Sequence, residues 1–195
     1  MSHPEIRTAI DRLRVCLARV DKLKDLRPDQ LLWKPAPHRW SIAQCLDHLI
    51  VSNECYFPVL DRLCGDRYQA TFWERWSPFS KSIGRNMVAT LGPEVRRPFK
   101  APKIFQPRQK EVKDLAIVDR FRKHQETLIG KLEAIRVQTI NKVVVTSPVA
   151  GLITIPFPDV LEILAGHEER HLSQAERLLV ETGFGASDLW VAEDL

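Results

Sequence analysis

Residues 41–49 read SIAQCLDHL and predict the start of a helix. Ser41 suits the N-cap position, because its hydroxyl can accept a hydrogen bond from a free backbone N–H of the first turn. Gln44, three residues on, completes the pattern of a capping box. Apolar residues at helical spacing continue to about Leu63, although Pro58 is expected to kink this second helix or end it early.

Three further helices are indicated by apolar residues that recur at helical spacing. The first helix spans about residues 4–24, and the third spans about residues 112–135. The fourth begins at Pro158, a residue type that the first turn of a helix accepts. It ends at Gly183 and Gly185, because glycine commonly terminates a helix.

Four long amphipathic helices with little strand signal predict an all-α protein, a four-helix bundle that residues 1–195 form as a single domain. A chain of this length can bury a core without disulfides. The exception is a short hairpin before the fourth helix. Two β-branched runs, at residues 143–145 and 152–155, flank a turn that contains proline and glycine.

The segment of residues 64–110 interrupts this helical pattern. Five prolines are scattered through it, and no helical or alternating period persists for long. It holds ten Lys or Arg residues but only three Asp or Glu residues. We therefore expect a long, irregular, basic insertion between the second and third helices, one that is either functional or contains short helices without a visible period.

The composition argues against several classes of protein. The four cysteines form no C-x-x-C pair, which excludes a zinc ribbon and a thioredoxin-type motif. The first residues lack the apolar core of a signal peptide, and no apolar run approaches the roughly 20 residues of a membrane-spanning helix. The net charge of +4 is only mildly basic. We therefore expect a cytoplasmic protein that binds neither nucleic acid nor a membrane.

Two histidines, His167 and His171, are the strongest candidates for chemistry. Residues four apart on a helix share one face, so two imidazoles there can bind one metal ion. Gln174 lies one turn further along that face and could orient a ligand or a bound water. His48 is the candidate third ligand, because it lies at mid-helix on a face that looks buried, where an unpaired polar group is costly. The alternative for each histidine is an ordinary core or surface residue.

Residues 167–171 read HEERH and match the H-E-x-x-H signature of zinc metalloproteases, in which Glu168 would be the general base. The longer forms of that signature need further ligands that the following residues do not supply, so we discount a protease. Glu168 and Gln174 remain candidate catalytic residues. The other histidines are expected at the surface: His3, His38 and His124.

Four stretches resemble the DinB-like family of small metal-binding helix bundles, which is unrelated to the DNA polymerase of similar name. They are WKPAP at residues 33–37, WSIAQCLDHL at 40–49, GLIT at 151–154 and GHEERHLSQ at 166–174. Their order and spacing match the family over most of the chain. The segment of residues 64–110 is the exception, since it is longer and more basic than the family pattern.

The resemblance implies a four-helix bundle with a long crossover and a metal site formed by His48, His167 and His171. Known members include transferases and isomerases that use bacillithiol, mycothiol or glutathione, and members are often homodimers. We therefore expect a metal-dependent transferase that activates a low-molecular-weight thiol and acts on a small-molecule substrate. The basic insertion would either attract an anionic thiol carrier or form a solvated loop.

Two alternatives remain open. One is a metal-dependent hydrolase that acts through metal hydroxide, with Glu168 or Gln174 nearby. The other is a non-enzymatic protein that holds a metal ion or takes part in a stress response. Imidazole suits zinc, nickel, copper and iron alike. The sequence therefore predicts a divalent metal ion, with Zn, Ni and Fe as the candidates.

Overall fold

The structure, a computed structural model, describes residues 3–65, 68–92, 106, 116–137, 139–148 and 151–184. This part of the chain is mostly helical and contains one two-stranded sheet. The elements in chain order are α1 (Pro4–Asp21), α2 (Pro28–Leu32), α3 (Ile42–Glu54), α4 (Phe57–Cys64), α5 (Phe72–Trp76), α6 (Ser80–Leu91), α7 (Ile117–Glu133), β1 (Val144–Thr146), β2 (Thr154–Pro156) and α8 (Phe157–Leu178). None of the described helices has the length and apolar character needed to cross a bilayer.

The second predicted helix begins at the capping box that its sequence indicates. The Ser41 hydroxyl accepts a hydrogen bond of 3.2 Å from the Gln44 backbone N–H. The Gln44 side-chain oxygen accepts one of 3.1 Å from the Ser41 N–H. The expected interruption near Pro58 is confirmed, since α3 ends at Glu54 and α4 starts with Pro58 in its first turn. Proline has no N–H to donate and is tolerated only at such a start.

The other three predicted helices are confirmed as α1, α7 and α8, with ends that differ by a few residues. Some predictions lie outside the described residues. These are the helical start at residues 112–115, the role of Gly185, and the segments 93–105 and 107–110 of the insertion. α8 ends at Leu178, five residues before the predicted stop at Gly183, whose φ of 90° is a conformation that glycine adopts without strain.

Four helices pack against one another in the interior. α1 and α3 each contact both α7 and α8. Eleven of the thirteen residues of α3 are buried, so this helix runs through the centre. Among the fully buried side chains are Phe121 of α7, Phe157 of α8, and Leu46 and Leu49 of α3. Burial of one such side chain contributes about 1.5–3 kcal/mol to the stability of the fold. The packing of these side chains also determines which faces of α3 and α8 lie against each other.

The expected hairpin before the last helix is confirmed. β1 and β2 pair antiparallel, with Val145 opposite Ile155 and both side chains buried. α6 packs against β2 and α8. A Cβ atom at Gly84 of α6 would overlap the Asp159 carboxylate and lie 2.9 Å from Pro156 Cδ. Glycine at this position therefore permits the close approach of α6 to α8.

Of the alternatives for the insertion, short helices without a visible period are what its described part contains: residues 68–92 form α5 and α6. α5 has five residues, too few for a period to show, and begins with a capping box of Thr71 and Glu74. α6 packs Met87 and Leu91 against the core. Tertiary packing of this kind, rather than local periodicity, accounts for most of the stability of a short helix.

One of the histidines expected at the surface is buried. His124 is 7% exposed, and its ring stacks on Phe57 with centroids 5.3 Å apart. It lies on the buried face of α7 with Phe121 and Leu128, at helical spacing. The prediction for His124 is therefore wrong, because the apolar stripe of its own helix includes it.

Candidate metal centre

Three histidines from two helices come together in the interior. His48 lies in the middle of α3, and His167 and His171 lie one turn apart in α8. The Nε2 atoms of His48 and His167 are 3.2 Å apart. One ring nitrogen from each of the three lies within 4.8 Å of the other two. The structure thus brings together the three residues that the sequence selected.

The spacing of these nitrogens fits a shared metal ion. Two imidazole nitrogens bound to one tetrahedral zinc ion, each at about 2.0–2.1 Å, lie roughly 3.3 Å apart. The 3.2 Å between His48 and His167 agrees with that separation. Imidazole also suits nickel and iron. The three residues can therefore hold one divalent ion and leave a fourth coordination position open.

Two polar side chains contact the remaining ring nitrogens. Gln174 Oε1 lies 3.1 Å from His171 Nδ1, and Ser52 Oγ lies 3.4 Å from His48 Nδ1. With its amide oxygen at this position, Gln174 can only accept, so His171 carries its proton on Nδ1 and keeps the Nε2 lone pair available. Outer-shell partners that orient metal ligands make contacts of this kind. A catalytic role for Gln174 stays a prediction.

The surroundings favour uncharged imidazoles. Burial, assisted by His48 and Arg170, lowers the pKa of His167 to about 3. Burial and then the neighbouring histidines lower the pKa of His171 well below its usual 6.5. Imidazole binds a metal ion only in its neutral form. At neutral pH both rings of α8 are therefore ready to act as ligands.

Trp40 forms one wall of the site, a role that the sequence did not reveal. Its ring centroid lies 4.7 Å from that of His48 and 5.7 Å from that of His171. The sequence signal for this residue was limited to its place in the stretch WSIAQ, directly before the N-cap of α3. The indole presents an apolar face beside the ligands and thereby restricts the approach of water from that side.

Glu168 is buried next to His167 in the chain, and both of its carboxylate oxygens are bonded. Asn53 of α3 donates a hydrogen bond of 2.7 Å to Oε1, and Gln125 of α7 donates one of 2.6 Å to Oε2. Burial raises the pKa of Glu168 to about 8, although these amides act in the opposite direction. No sequence pattern indicated a role for Asn53 or Gln125. A role for Glu168 as a catalytic base stays a prediction.

Arg170 joins the inserted segment to the edge of the site. Its Nη1 atom donates a hydrogen bond of 3.1 Å to the backbone carbonyl of Thr90, near the end of α6. Its positive charge lowers the pKa of both His167 and His171, as expected of a cation near the two rings. No carboxylate pairs with its guanidinium in the described part of the chain. The site therefore has a cation at its border that no described carboxylate neutralises.

Comparisons with known proteins agree with the resemblance seen in the sequence. The family model of the DinB superfamily matches residues 12–175. This range includes His48, His167 and His171, and it covers well over half of the chain. The comparisons with curated proteins and with solved structures found no match.

Proposed function

The chain belongs to the DinB superfamily, and we propose that it is a metal-dependent transferase that activates a low-molecular-weight thiol. His48, His167 and His171 would bind one divalent ion. The observation that carries the proposal is the convergence of these three imidazoles within 4.8 Å, with their helices packed around them. The family and the ligand geometry point in the same direction.

A divalent ion held by these residues supplies a coordination position at which a thiol can bind as thiolate. The protein sets the conditions for this chemistry. Neutral imidazoles leave the full charge of the ion available to an anionic ligand. Gln174 and Ser52 hold the rings of His171 and His48 through Nδ1. Trp40 limits access of water on one side.

Arg170 supports the choice of an anionic thiol carrier. Its guanidinium has no acidic partner among the residues that the structure describes. Burial and then the charge of Arg177, an exposed residue two turns further along α8, lower the pKa of Arg170, so the two cations are near each other. Guanidinium groups bind carboxylates in a bidentate manner. We propose that carboxylates of the thiol carrier bind at this border.

The proposal includes the finer description of the fold as a four-helix bundle in a single domain of residues 1–195. The contacts of α1 and α3 with both α7 and α8 support the bundle. Buried side chains from these helices form two apolar clusters, and both clusters draw residues from α1, α7 and α8. A core shared by elements from both ends of the chain supports a single domain.

Titration of the metal-loaded protein with thiols tests the proposal. We expect saturable binding of bacillithiol or glutathione by calorimetry, and weaker binding of mycothiol, which has no carboxylate for Arg170. For cobalt-loaded protein we expect a thiolate-to-cobalt absorption band on addition of the thiol. His48→Ala should lose both metal and thiol binding. His38→Ala, at an exposed histidine outside the site, should keep both.

Metal content, measured by elemental analysis of the same variants, separates the rival functions when it is combined with thiol binding and hydrolysis assays. Wild type that holds a metal ion but binds none of the thiols contradicts the transferase proposal. Hydrolysis of ester or amide substrates without added thiol would then support a hydrolase, and a metal without exchangeable water would support a metal-holding protein. The arrangement favours the thiol, because both oxygens of Glu168, the base expected of a hydrolase, are bonded to amides.

A further inference from the structure

α5 is attached to the protein through a buried acid rather than through its apolar residues. Glu74 is 5% exposed. It accepts hydrogen bonds of 2.7 Å from Arg62, 2.9 Å from the Thr146 backbone N–H and 2.8 Å from the Thr71 N–H. These bonds fix the rotation of the helix about its own axis, with Glu74 turned inwards.

The aromatic residues of α5 consequently lie on its outer side. Successive helix residues are about 100° apart, so Phe72, Trp73 and Trp76 share one face and Glu74 lies nearly opposite. Their side chains are 68%, 51% and 71% exposed, and Phe79, just after the helix, is 68% exposed. We call Phe72, Trp73, Trp76 and Phe79 the aromatic patch. The apolar face of α5 thus points to solvent, whereas the apolar face of an ordinary surface helix points inwards.

Positive charge flanks the aromatic patch. Arg75 and Lys81 are exposed, and the described residues offer neither of them a carboxylate partner. Within residues 72–81 the acid is Glu74, which is buried and paired with Arg62. An exposed apolar face bordered by cations that no described carboxylate neutralises is complementary to a surface that is anionic outside and apolar beneath.

We propose that the aromatic patch docks the protein on the surface of an anionic lipid bilayer. The indole and phenyl rings enter the interfacial region, where tryptophan is favoured. Arg75 and Lys81 contact the lipid phosphates. Docking of this kind requires no spanning helix. The expectation that the protein has no membrane partner rested on the absence of spanning segments and does not address a surface contact.

Size and charge argue against a second copy of the chain on the patch. The four rings expose on the order of 500 Å² of apolar surface, less than the roughly 800 Å² per partner of a standard protein interface. In a two-fold dimer the patch would face itself. Arg75 and Lys81 of both copies would then be brought together without an acid between them, and their repulsion would oppose association.

Cosedimentation of the full-length, metal-loaded protein with vesicles tests the proposal. We expect binding to vesicles that contain phosphatidylglycerol but not to pure phosphatidylcholine, and weaker binding at high salt. Trp73→Ser/Trp76→Ser should bind about tenfold more weakly or worse. Arg75→Ser and Lys81→Ser should each weaken binding about fivefold. Val180→Ser, which removes an apolar side chain that is 85% exposed elsewhere, should bind as wild type does.

Two further readouts keep the test independent of folding and of the metal centre. Melting temperatures should show that the exposed-site variants are folded, and the tryptophan emission of wild type should shift to the blue on binding. His48→Ala should bind vesicles as wild type does. Absence of wild-type binding, or equal binding by Trp73→Ser/Trp76→Ser, overturns the proposal. The proposal is also overturned if the protein does not bind vesicles and the patch instead binds single-stranded oligonucleotides or forms the contact of a dimer.

Discussion

The side-chain amide of Asn53 donates a hydrogen bond of 2.7 Å to the carboxylate of Glu168, the residue that follows His167. Gln125 donates a second, of 2.6 Å, to the other carboxylate oxygen. One buried carboxylate thereby joins α3, α7 and α8 beside the candidate metal centre. Because α3 carries His48 and α8 carries the other two histidines, this network helps to fix the two helices that must meet at the ion.

Replacing Glu168 by alanine is expected to destabilise the protein by about 2–5 kcal/mol. The change leaves one N–H of the Asn53 amide and one N–H of the Gln125 amide buried without an acceptor, at about 1–3 kcal/mol each, while Gln125 keeps its hydrogen bond to the Leu13 carbonyl. Denaturant unfolding of the metal-free protein measures the loss. Glu162→Ala, which removes an exposed partner of Arg12, should change the free energy of unfolding by less than about 1 kcal/mol. Equal stability of Glu168→Ala and wild type would contradict the structural role.

Glu168 should also make the metal-free protein less stable at alkaline pH. Burial raises its pKa from the usual 4.5 to about 8, so the folded state binds this proton more tightly than the unfolded state. The resulting stability is fully present below about pH 4.5 and is lost as the pH rises through about 8. Between pH 5 and pH 9 we expect the contribution of Glu168 to the free energy of unfolding to fall by a few kcal/mol, at about 1.4 kcal/mol per pKa unit. The lowered pKa values of His167 and His171 act in the opposite direction, because they add stability as the pH rises towards 6.5.

The matched variant for the pH experiment is Glu168→Gln, which keeps the shape of the side chain but cannot titrate. Unfolding free energies of both proteins are measured across the same pH range in the presence of a chelator. Relative to Glu168→Gln, the wild-type protein should lose a few kcal/mol of unfolding free energy between pH 5 and pH 9, because the contribution of the two histidines is common to both proteins. Parallel pH profiles would show that other groups cause the dependence and would refute the assignment to Glu168.

The site residues that could be predicted from the sequence are those that belong to a pattern of neighbouring residues. The capping box of Ser41 and Gln44 marks the helix that carries His48. The spacing of four residues between His167 and His171 indicates a shared helix face. Signals of this kind depend on neighbours in the chain, so they can be recognised without knowledge of the tertiary structure.

The parts that could not be predicted depend on contacts between distant residues. Asn53 and Gln125 look like ordinary polar helix residues, and their common partner Glu168 lies 115 and 43 positions away. The same holds for α5, whose anchor Glu74 is bonded to Thr146, 72 positions further on. No pattern in the sequence indicates such pairs, because packing alone brings them together.

Gln174→Ala should weaken metal binding by about 10- to 100-fold, the usual effect of removing a side chain that orients a metal-bound histidine. The lost contact is the 3.1 Å hydrogen bond between Gln174 Oε1 and His171 Nδ1. Competition with a chromophoric chelator measures the affinity. Gln174→Glu keeps an acceptor at the same position and should restore most of it. If both variants bound metal as wild type does, Gln174 would have no part in ligand orientation.

Gly84→Ala is expected to lower both the stability and the thiol affinity of the protein. A Cβ atom at this position would overlap the Asp159 carboxylate and lie 2.9 Å from Pro156 Cδ. The Asp159 side chain must then turn away and α6 must shift from the Pro156 ring, at about 1–3 kcal/mol. That movement would also disturb the bond between Arg170 and Thr90 at the edge of the site.

Gly130→Ala in α7 is the matched control, because nothing lies within 4 Å of its added Cβ. The control should gain about 0.4–1 kcal/mol from the reduced entropy of the unfolded chain. Thermal unfolding and thiol titration of both variants measure the two effects. A Gly84→Ala protein as stable as Gly130→Ala would show that the packing of α6 on α8 is loose enough to accept a methyl group, and the glycine would then not be required for the site.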